Sequence, residues 1–244
     1  MPHVHPPHPA GLHVRTRLLA ARIALALLAL PPALPADDGL AALEGFSYQP
    51  PQPGTYTLPV IKPAADGQVI DHTGQTRSLH DLTRGAVTVM SFIYTRCASP
   101  RACPFATGVL NQIHEVAGAR PEFAGRLRLI SMSFDPENDT ARRMSDYSRW
   151  ARERSVPVDW HFLTTRSATE LNPILDAYGQ AVNRRSNPRD PQGPLHHTLR
   201  VFLIDAEGRI RNIYSSDTLD PRLVLTDIRT LLIESGTAAS PTAG

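Results

Sequence analysis

The chain has 244 residues, of which 41% are hydrophobic and 6% aromatic, enough for one ordinary hydrophobic core with appended segments. Its formal net charge is only +2 and the basic residues form no run, which argues against a nucleic-acid partner. The whole chain contains two cysteines, Cys97 and Cys103. Any thiol chemistry is therefore confined to one short stretch.

The first 36 residues have the layout of a secretory signal. Arg15, Arg17 and Arg22 precede an apolar run at residues 23–30, and small and helix-breaking residues follow up to Ala36. We predict that residues 1–36 are a signal peptide or an N-terminal anchor and that the protein is exported, facing the periplasm. The apolar run is short for a membrane span, which needs about 20 residues.

Three further segments follow along the chain. Residues 37–59 are rich in proline and predict an extended, exposed linker. Residues 60–236 predict one folded domain, which begins with short strands and turns up to about residue 82. Residues 237–244 are small and polar, and they predict a disordered tail.

The stretch around the cysteines carries the strongest local signals. Residues 87–94 are continuously apolar, β-branched or aromatic, a pattern typical of a central strand buried on both faces. Pro104 predicts that a helix begins beside Cys103 and runs to about residue 116. The strand thus delivers Cys97 to a loop, and Cys103 starts the helix. A thiol at a helix N-terminus is expected to have a lowered pKa.

The cysteine pair has a structural and a functional interpretation. Two cysteines in an exported chain commonly form a structural disulfide. However, a bridge that closes so short a loop constrains little of the unfolded chain. The pair also lies where a strand ends and a helix begins, the place at which open α/β sheets bind ligands. Position therefore favours a functional pair.

After the first helix, strands and helices alternate, with Asp139 as the expected N-cap of the second long helix. The expected strands cover residues 127–134, 158–163, 197–205 and 210–214, the helices residues 140–154, 168–178 and 221–233, and a loop residues 183–194. This order predicts an α/β, thioredoxin-like three-layer fold, with a mixed central sheet and helices on both faces.

Three stretches in order carry a family resemblance: FIYTRC from Phe92, continued by the CP that begins at Cys103; LISMSFDPENDT at 129–140; and LHHTLRVFLIDAEG at 195–208. Together they resemble the Sco/SenC family of copper-binding thioredoxin-like proteins, over roughly residues 58–235. The resemblance implies assistance in assembling the copper site of cytochrome c oxidase, with copper held by two cysteines and one histidine. By motif position these ligands are Cys97, Cys103 and His197.

The chain departs from the family pattern at two places. Residues 98–102 separate the thiols, where the family usually has three residues. Arg101 in this longer loop is expected to favour both thiolates electrostatically. His196 stands where the family commonly has an acidic residue. Because successive strand side chains point to opposite faces, only one of His196 and His197 should face the cysteines, and the motif selects His197.

Asp135 is a further candidate, because it follows a predicted strand at the same sheet edge as Cys97. It could orient or charge-balance a metal site from behind the ligands. The other interpretation is an ordinary turn aspartate before Pro136.

Ligand chemistry sets the expected function. Two thiolates and one imidazole form a soft, low-coordinate site that suits Cu(I), with Cu(II) as its oxidised form, whereas zinc would keep an open position. Oxidation of the two thiols to a disulfide would remove both sulfur ligands. This chemistry predicts a redox-gated Cu(I) site, and together with it the Sco/SenC resemblance implies a metallochaperone whose partner is a cytochrome c oxidase subunit or another copper or thiol protein.

The alternative function is a thiol–disulfide oxidoreductase or redox sensor that acts through Cys97 and Cys103. Thioredoxin-like oxidoreductases usually carry a cis-proline just before the strand that faces the active site. Here Leu195, His196 and His197 occupy that place, and Pro194 lies further upstream. This arrangement favours metal binding over exchange chemistry.

Overall fold

A computed structural model of the protein describes residues 1–4, 38–187 and 189–238. The predicted signal peptide or anchor thus lies almost wholly outside the described residues. Every element below lies within residues 38–238 and belongs to one unit. Within the described ranges, no helix combines the length and the apolar composition that a membrane crossing requires.

Ten strands and five α-helices make up the described part of this unit. The strands are β1 Lys62–Pro63, β2 Gln68–Asp71, β3 Thr76–Ser78, β4 Val87–Ile93, β5 Leu127–Ser133, β6 Asp159–Thr164, β7 Val182–Arg184, β8 Leu195–His197, β9 Val201–Ile204 and β10 Arg209–Tyr214. The helices are α1 Leu79–Thr83, α2 Cys103–Gly118, α3 Ala141–Arg152, α4 Ala168–Tyr178 and α5 Pro221–Ala238.

Eight strands form one mixed sheet in the order β1-β10-β9-β4-β5-β6-β2-β3. β4 runs parallel to β5, and β5 runs parallel to β6, while β9 is antiparallel to β4. Every residue of β4 is buried, as its continuous apolar run predicts. Helices α2 and α5 pack against each other and on β4, and α3 packs on β6. The predicted α/β fold with a mixed central sheet is confirmed.

The predicted strand at residues 197–205 is confirmed at Val201–Ile204, which form β9, but His197 belongs to another strand, β8. β9 lies in the central sheet, whereas β8 pairs with β7 in a separate two-stranded sheet, with Val182 opposite His197. β7 lies partly in the segment predicted as a loop. Turn residues mark where the chain reverses, but they do not show which backbone groups then pair. His197 therefore stands outside the central sheet.

The predicted N-cap Asp139 is also wrong. Helix α3 is capped by Thr140, whose hydroxyl accepts a hydrogen bond from the Arg143 amide. The Asp139 carboxylate is fully buried and accepts hydrogen bonds from Thr95 and Ser133. A cap and a buried carboxylate have the same sequence signal, because both place an aspartate just before a helix.

Most described residues of the proline-rich segment are exposed and form no helix or strand, but the segment also makes contacts that a free linker would lack. Phe46 and Leu58 are buried, and the Tyr56 hydroxyl donates a hydrogen bond to Asp227 of α5. Residues 38–59 therefore pack on the folded unit. At the other end, α5 extends to Ala238, two residues into the predicted disordered tail. Residues 239–244 of that tail lie outside the described residues.

Candidate metal centre

The end of β4 and the start of α2 position the two cysteines. A turn follows the strand, and the Cys97 amide donates to the Tyr94 carbonyl over 3.1 Å. A second turn follows, in which the Ala102 amide donates to the Ser99 carbonyl over 3.1 Å. Helix α2 then begins at Cys103, as predicted. The longer spacing between the thiols is thus taken up by a turn whose residues Pro100 and Arg101 are exposed.

His197 is distant from the cysteines in the sequence, but at the end of β8 its ring lies beside them. The two sulfur atoms and one His197 ring nitrogen all lie within 4.8 Å of one another. His197 Nε2 is 3.4 Å from Cys103 Sγ. Both thiols are free. Among the described residues, this is the one cluster of at least three such side chains with metal-ligand spacing.

Aromatic side chains hold the His197 ring in place. Its centroid is 4.7 Å from the Phe134 ring and 5.9 Å from the Tyr94 ring, which it meets edge to face. Burial, with smaller contributions from the charges of His196 and Arg185, lowers the pKa of His197 to about 4. The imidazole is therefore neutral at neutral pH, as metal coordination requires.

The two thiols differ in burial and in acidity. Cys97 is half-buried, whereas Cys103 is only 2% exposed. A hydrogen bond from the Cys103 thiol lowers the pKa of Cys97 to about 6, and the amides of Cys103 and Ser99 contribute. Burial raises the pKa of Cys103. The prediction that the helix N-terminus would make Cys103 the thiolate is wrong, since loss of hydration outweighs the helix dipole.

This asymmetry predicts selective alkylation of the reduced, metal-free protein. Iodoacetamide should label Cys97 well before Cys103, and the labelling rate should rise with pH around a midpoint near 6, because only the thiolate reacts. Mass spectrometry of the two cysteine peptides measures both rates. Cys103→Ser keeps the hydrogen-bond donor and should keep the midpoint low, whereas Cys103→Ala should raise it. Faster labelling of Cys103 would contradict the assignment.

His196 and His197 alternate as expected: His196 is exposed and His197 is turned towards the cysteines. Arg101 behaves differently from the prediction. It forms an exposed ion pair with Asp217 at 3.5 Å, and the groups that chiefly lower the pKa of Cys97 are the neighbouring thiol and backbone amides. The loop arginine therefore does not supply the expected charge to the thiols.

Asp135 supports the loop before the site. Its carboxylate is 2.8 Å from the Arg96 guanidinium and also accepts a hydrogen bond from Asn138. Within the described residues, none of its hydrogen bonds reaches a cysteine or His197. These contacts are those of a turn aspartate that fixes Arg96, the neighbour of Cys97.

Two residues that matter here were missed by sequence reasoning. Tyr94 contacts the His197 ring, and Asp139 fixes Thr95, two residues before Cys97. Tyr94 was visible only as the last residue of a buried strand. Nothing in the local sequence distinguishes Asp139 from a helix cap, because only the fold brings its partners, Thr95 after β4 and Ser133 in β5, next to it.

Comparison with known proteins places this site in a family. The family model for SCO1/SenC matches residues 64–233. The chain belongs to the SCO1/SenC family. The match includes all three clustered side chains, Cys97, Cys103 and His197, and it confirms the resemblance that the three sequence stretches indicate.

Individual relatives of this Sco/SenC chain agree. It is 26% identical over 143 residues to the SCO1 protein homolog of Bacillus subtilis (strain 168), covering 58% of this chain and 68% of the relative. Arabidopsis thaliana ScoI with copper bound superposes with a TM-score of 0.58 at 19% identity, covering 70% of this chain and 98% of that one. BsSco is a member of the Sco family of cytochrome c oxidase assembly proteins in which a disulfide switch was identified. It superposes with a TM-score of 0.57 at 20% identity, covering 75% of this chain and 98% of that one. These structures share the thioredoxin-like fold.

Proposed function

We propose that this Sco/SenC chain is an exported Cu(I) metallochaperone that holds copper through Cys97, Cys103 and His197. The observation that carries the proposal is the convergence of two sulfurs and a neutral imidazole within 4.8 Å. Copper is the cargo of such a protein, and its acceptor is a cytochrome c oxidase subunit or another copper or thiol protein. The copper-bound Arabidopsis relative and the oxidase-assembly family of BsSco support this function.

The donor set fits a single Cu(I) ion. Around a trigonal ion, donors at about 2.0 to 2.3 Å stand about 3.5 to 4 Å from one another. The three donors here already lie within 4.8 Å of each other, so small side-chain movements close the site. Two thiolates and an imidazole are soft ligands that favour Cu(I). A fourth position stays open for the incoming thiolate of an acceptor.

The oxidation state of the cysteines gates this site. The Cys97 thiolate attacks one sulfur of a disulfide in an oxidising partner, which forms a mixed disulfide and releases one partner thiolate. Cys103 then attacks the Cys97 sulfur, closes the Cys97–Cys103 bond and displaces the second partner sulfur. The partner leaves reduced by two electrons, with one proton from Cys103 and a second taken from water. Both sulfur ligands are consumed, so the oxidised protein releases Cu(I) or fails to bind it.

Exchange chemistry is the second candidate function. Cys97 is half-buried and its pKa of about 6 makes it a thiolate at neutral pH, which are the properties of an attacking thiol. Under this alternative the chain is a thiol–disulfide oxidoreductase or redox sensor, and its partner receives electrons instead of copper.

Copper transfer under anaerobic conditions separates the two functions. The reduced protein should hold one Cu(I) against a chelator and pass it to a metal-free oxidase copper subunit, whereas the disulfide form should hold none. Copper in each protein is measured after chromatographic separation. Reduction of a disulfide in the acceptor without copper transfer would favour the oxidoreductase, and a reduced protein that retains no Cu(I) would refute the metallochaperone.

Export is proposed from the arginines and apolar run of residues 15–36. Protein purified from its native host should begin near Asp37 if the signal is removed, and intact mass spectrometry measures this directly. An intact N-terminus in the membrane fraction would indicate a retained anchor. An intact Met1 on freely soluble protein would contradict export.

A further inference from the structure

Tyr94 joins the segment that carries His197 to the end of β4. It follows the strand directly and is 1% exposed. Its hydroxyl lies 3.2 Å from the Gln192 carbonyl and 3.3 Å from the Leu195 carbonyl, and it donates to this pair of acceptors. Leu195 is the first residue of β8. The buried Tyr94 hydroxyl thus holds the start of β8, which carries His197, beside the end of β4, which leads to Cys97.

The backbone of Gly193 lies so close to the Tyr94 hydroxyl that it leaves no room for a side chain. It lies between the two accepting carbonyls and has a φ of +98°, which favours glycine. A β-carbon at this position would lie 2.1 Å from Tyr94 Oη and 2.9 Å from the Arg96 carbonyl oxygen. The loop backbone therefore rests directly on the tyrosine, and no larger residue fits without moving one of them.

The same tyrosine touches both kinds of ligand. Its ring centroid lies 5.9 Å from that of His197 and 5.1 Å from that of Phe134, and the Phe134 and His197 centroids are 4.7 Å apart, so the three rings form one cluster. Its carbonyl accepts the Cys97 amide at 3.1 Å. The main chain of Tyr94 thus fixes one thiol, and its side chain fixes the imidazole.

We propose that Tyr94 is a positioning residue: its hydroxyl, seated on Gly193, places the His197 ring against Cys103 before a metal arrives. The inference deepens the proposed function and rests on it. The histidine comes from a two-stranded sheet outside the central sheet, so β-ladder hydrogen bonds to β4 do not locate it. The Tyr94 contacts supply that location, and the metal then meets a preformed ligand.

Tyr94→Phe isolates the hydroxyl because it keeps the ring. We expect Cu(I) affinity, measured anaerobically by chelator competition, to fall about 10- to 100-fold, as for other groups that orient metal ligands. The same change in a His197→Ala background should cause a much smaller loss, because only the small contribution of Tyr94 to the lowered pKa of Cys97 then remains. Tyr178→Phe is the matched control: Tyr178 is also 1% exposed and its hydroxyl contacts the Ala65 carbonyl at 3.5 Å. Its removal should leave the affinity unchanged.

The metal-free protein supplies an independent readout. Nuclear Overhauser contacts between the His197 and Phe134 rings should be strong in the wild type and in Tyr178→Phe, and weak in Tyr94→Phe. Gly193→Ala places a methyl group against the Tyr94 hydroxyl and should weaken the same contacts. When Gly193→Ala and Tyr94→Phe are combined, the loss of Cu(I) binding free energy should be smaller than the sum of the two single losses.

The outcomes separate this inference from the proposed function. Unchanged ring contacts and affinity in Tyr94→Phe, or an equal loss with and without His197, would overturn the positioning residue and leave a cysteine-dependent Cu(I) site standing. A wild-type protein that binds no Cu(I) would overturn the proposed function. In that case, the ring contacts of the metal-free variants still decide whether Tyr94 positions His197.

Discussion

Serine in place of Cys97 or Cys103 is expected to abolish specific Cu(I) binding, a loss well beyond the about 100-fold that a supporting residue costs. A hydroxyl is a poor ligand for a soft ion, and each thiol is one of only three clustered donors. His197→Ala should weaken binding strongly but leave both sulfurs in place. Anaerobic competition with a Cu(I) chelator measures all three affinities.

His196→Ala is the matched control for this series. It removes an imidazole from the neighbouring position, but that side chain is exposed and points away from the cluster. Its Cu(I) affinity should equal that of the wild type. The three-ligand site would be refuted if His196→Ala lowered Cu(I) affinity more than His197→Ala does, or if either serine variant kept full affinity.

Asp139→Ala is expected to lower the free energy of unfolding by about 3 to 5 kcal/mol, because burying unpaired polar groups costs about 1 to 3 kcal/mol each. The carboxylate is fully buried and accepts from the Thr95 amide at 2.9 Å, the Thr95 hydroxyl at 2.5 Å and the Ser133 hydroxyl at 2.6 Å. Urea denaturation measures the change. Cu(I) affinity should fall as well, since Thr95 begins the turn to Cys97.

Asp217→Ala provides the comparison for Asp139. It removes the same charge from a side chain that is 83% exposed and whose partners are the exposed Arg101 guanidinium and the Ser216 hydroxyl. Its effect on unfolding should stay within about 0.5 kcal/mol, as for most surface changes. A similarly small effect of Asp139→Ala would show that the buried carboxylate does not hold the end of β4 to β5.

Much of the fold follows from short-range signals. The buried run that forms β4 ends within one residue of its predicted end, and helix α4 has the predicted bounds at 168–178. Pro104 marks the start of α2 correctly. These features depend on hydrophobic continuity, capping and proline geometry, all of which act within a few residues.

The parts that sequence reasoning missed depend on distant partners. The pairing of β7 with β8 joins a predicted loop to the histidine segment. Asp139 and Tyr94 acquire their contacts only when the strand ends meet. The acidity of the thiols was assigned to the wrong cysteine because burial of Cys103 is a property of the folded domain. A local pattern cannot report the solvent exposure of a thiol.

If the chain delivers copper as proposed, the unequal burial of the two thiols sets an order for its release. An acceptor thiolate that approaches from solvent meets the half-buried Cys97 first, while Cys103 and His197 remain in contact behind it. The Cys97–copper bond would therefore be exchanged before the bond to the buried Cys103, which with His197 would keep the ion until the acceptor has supplied a replacement. Copper would leave through stepwise shared coordination and would not enter solution as a free ion.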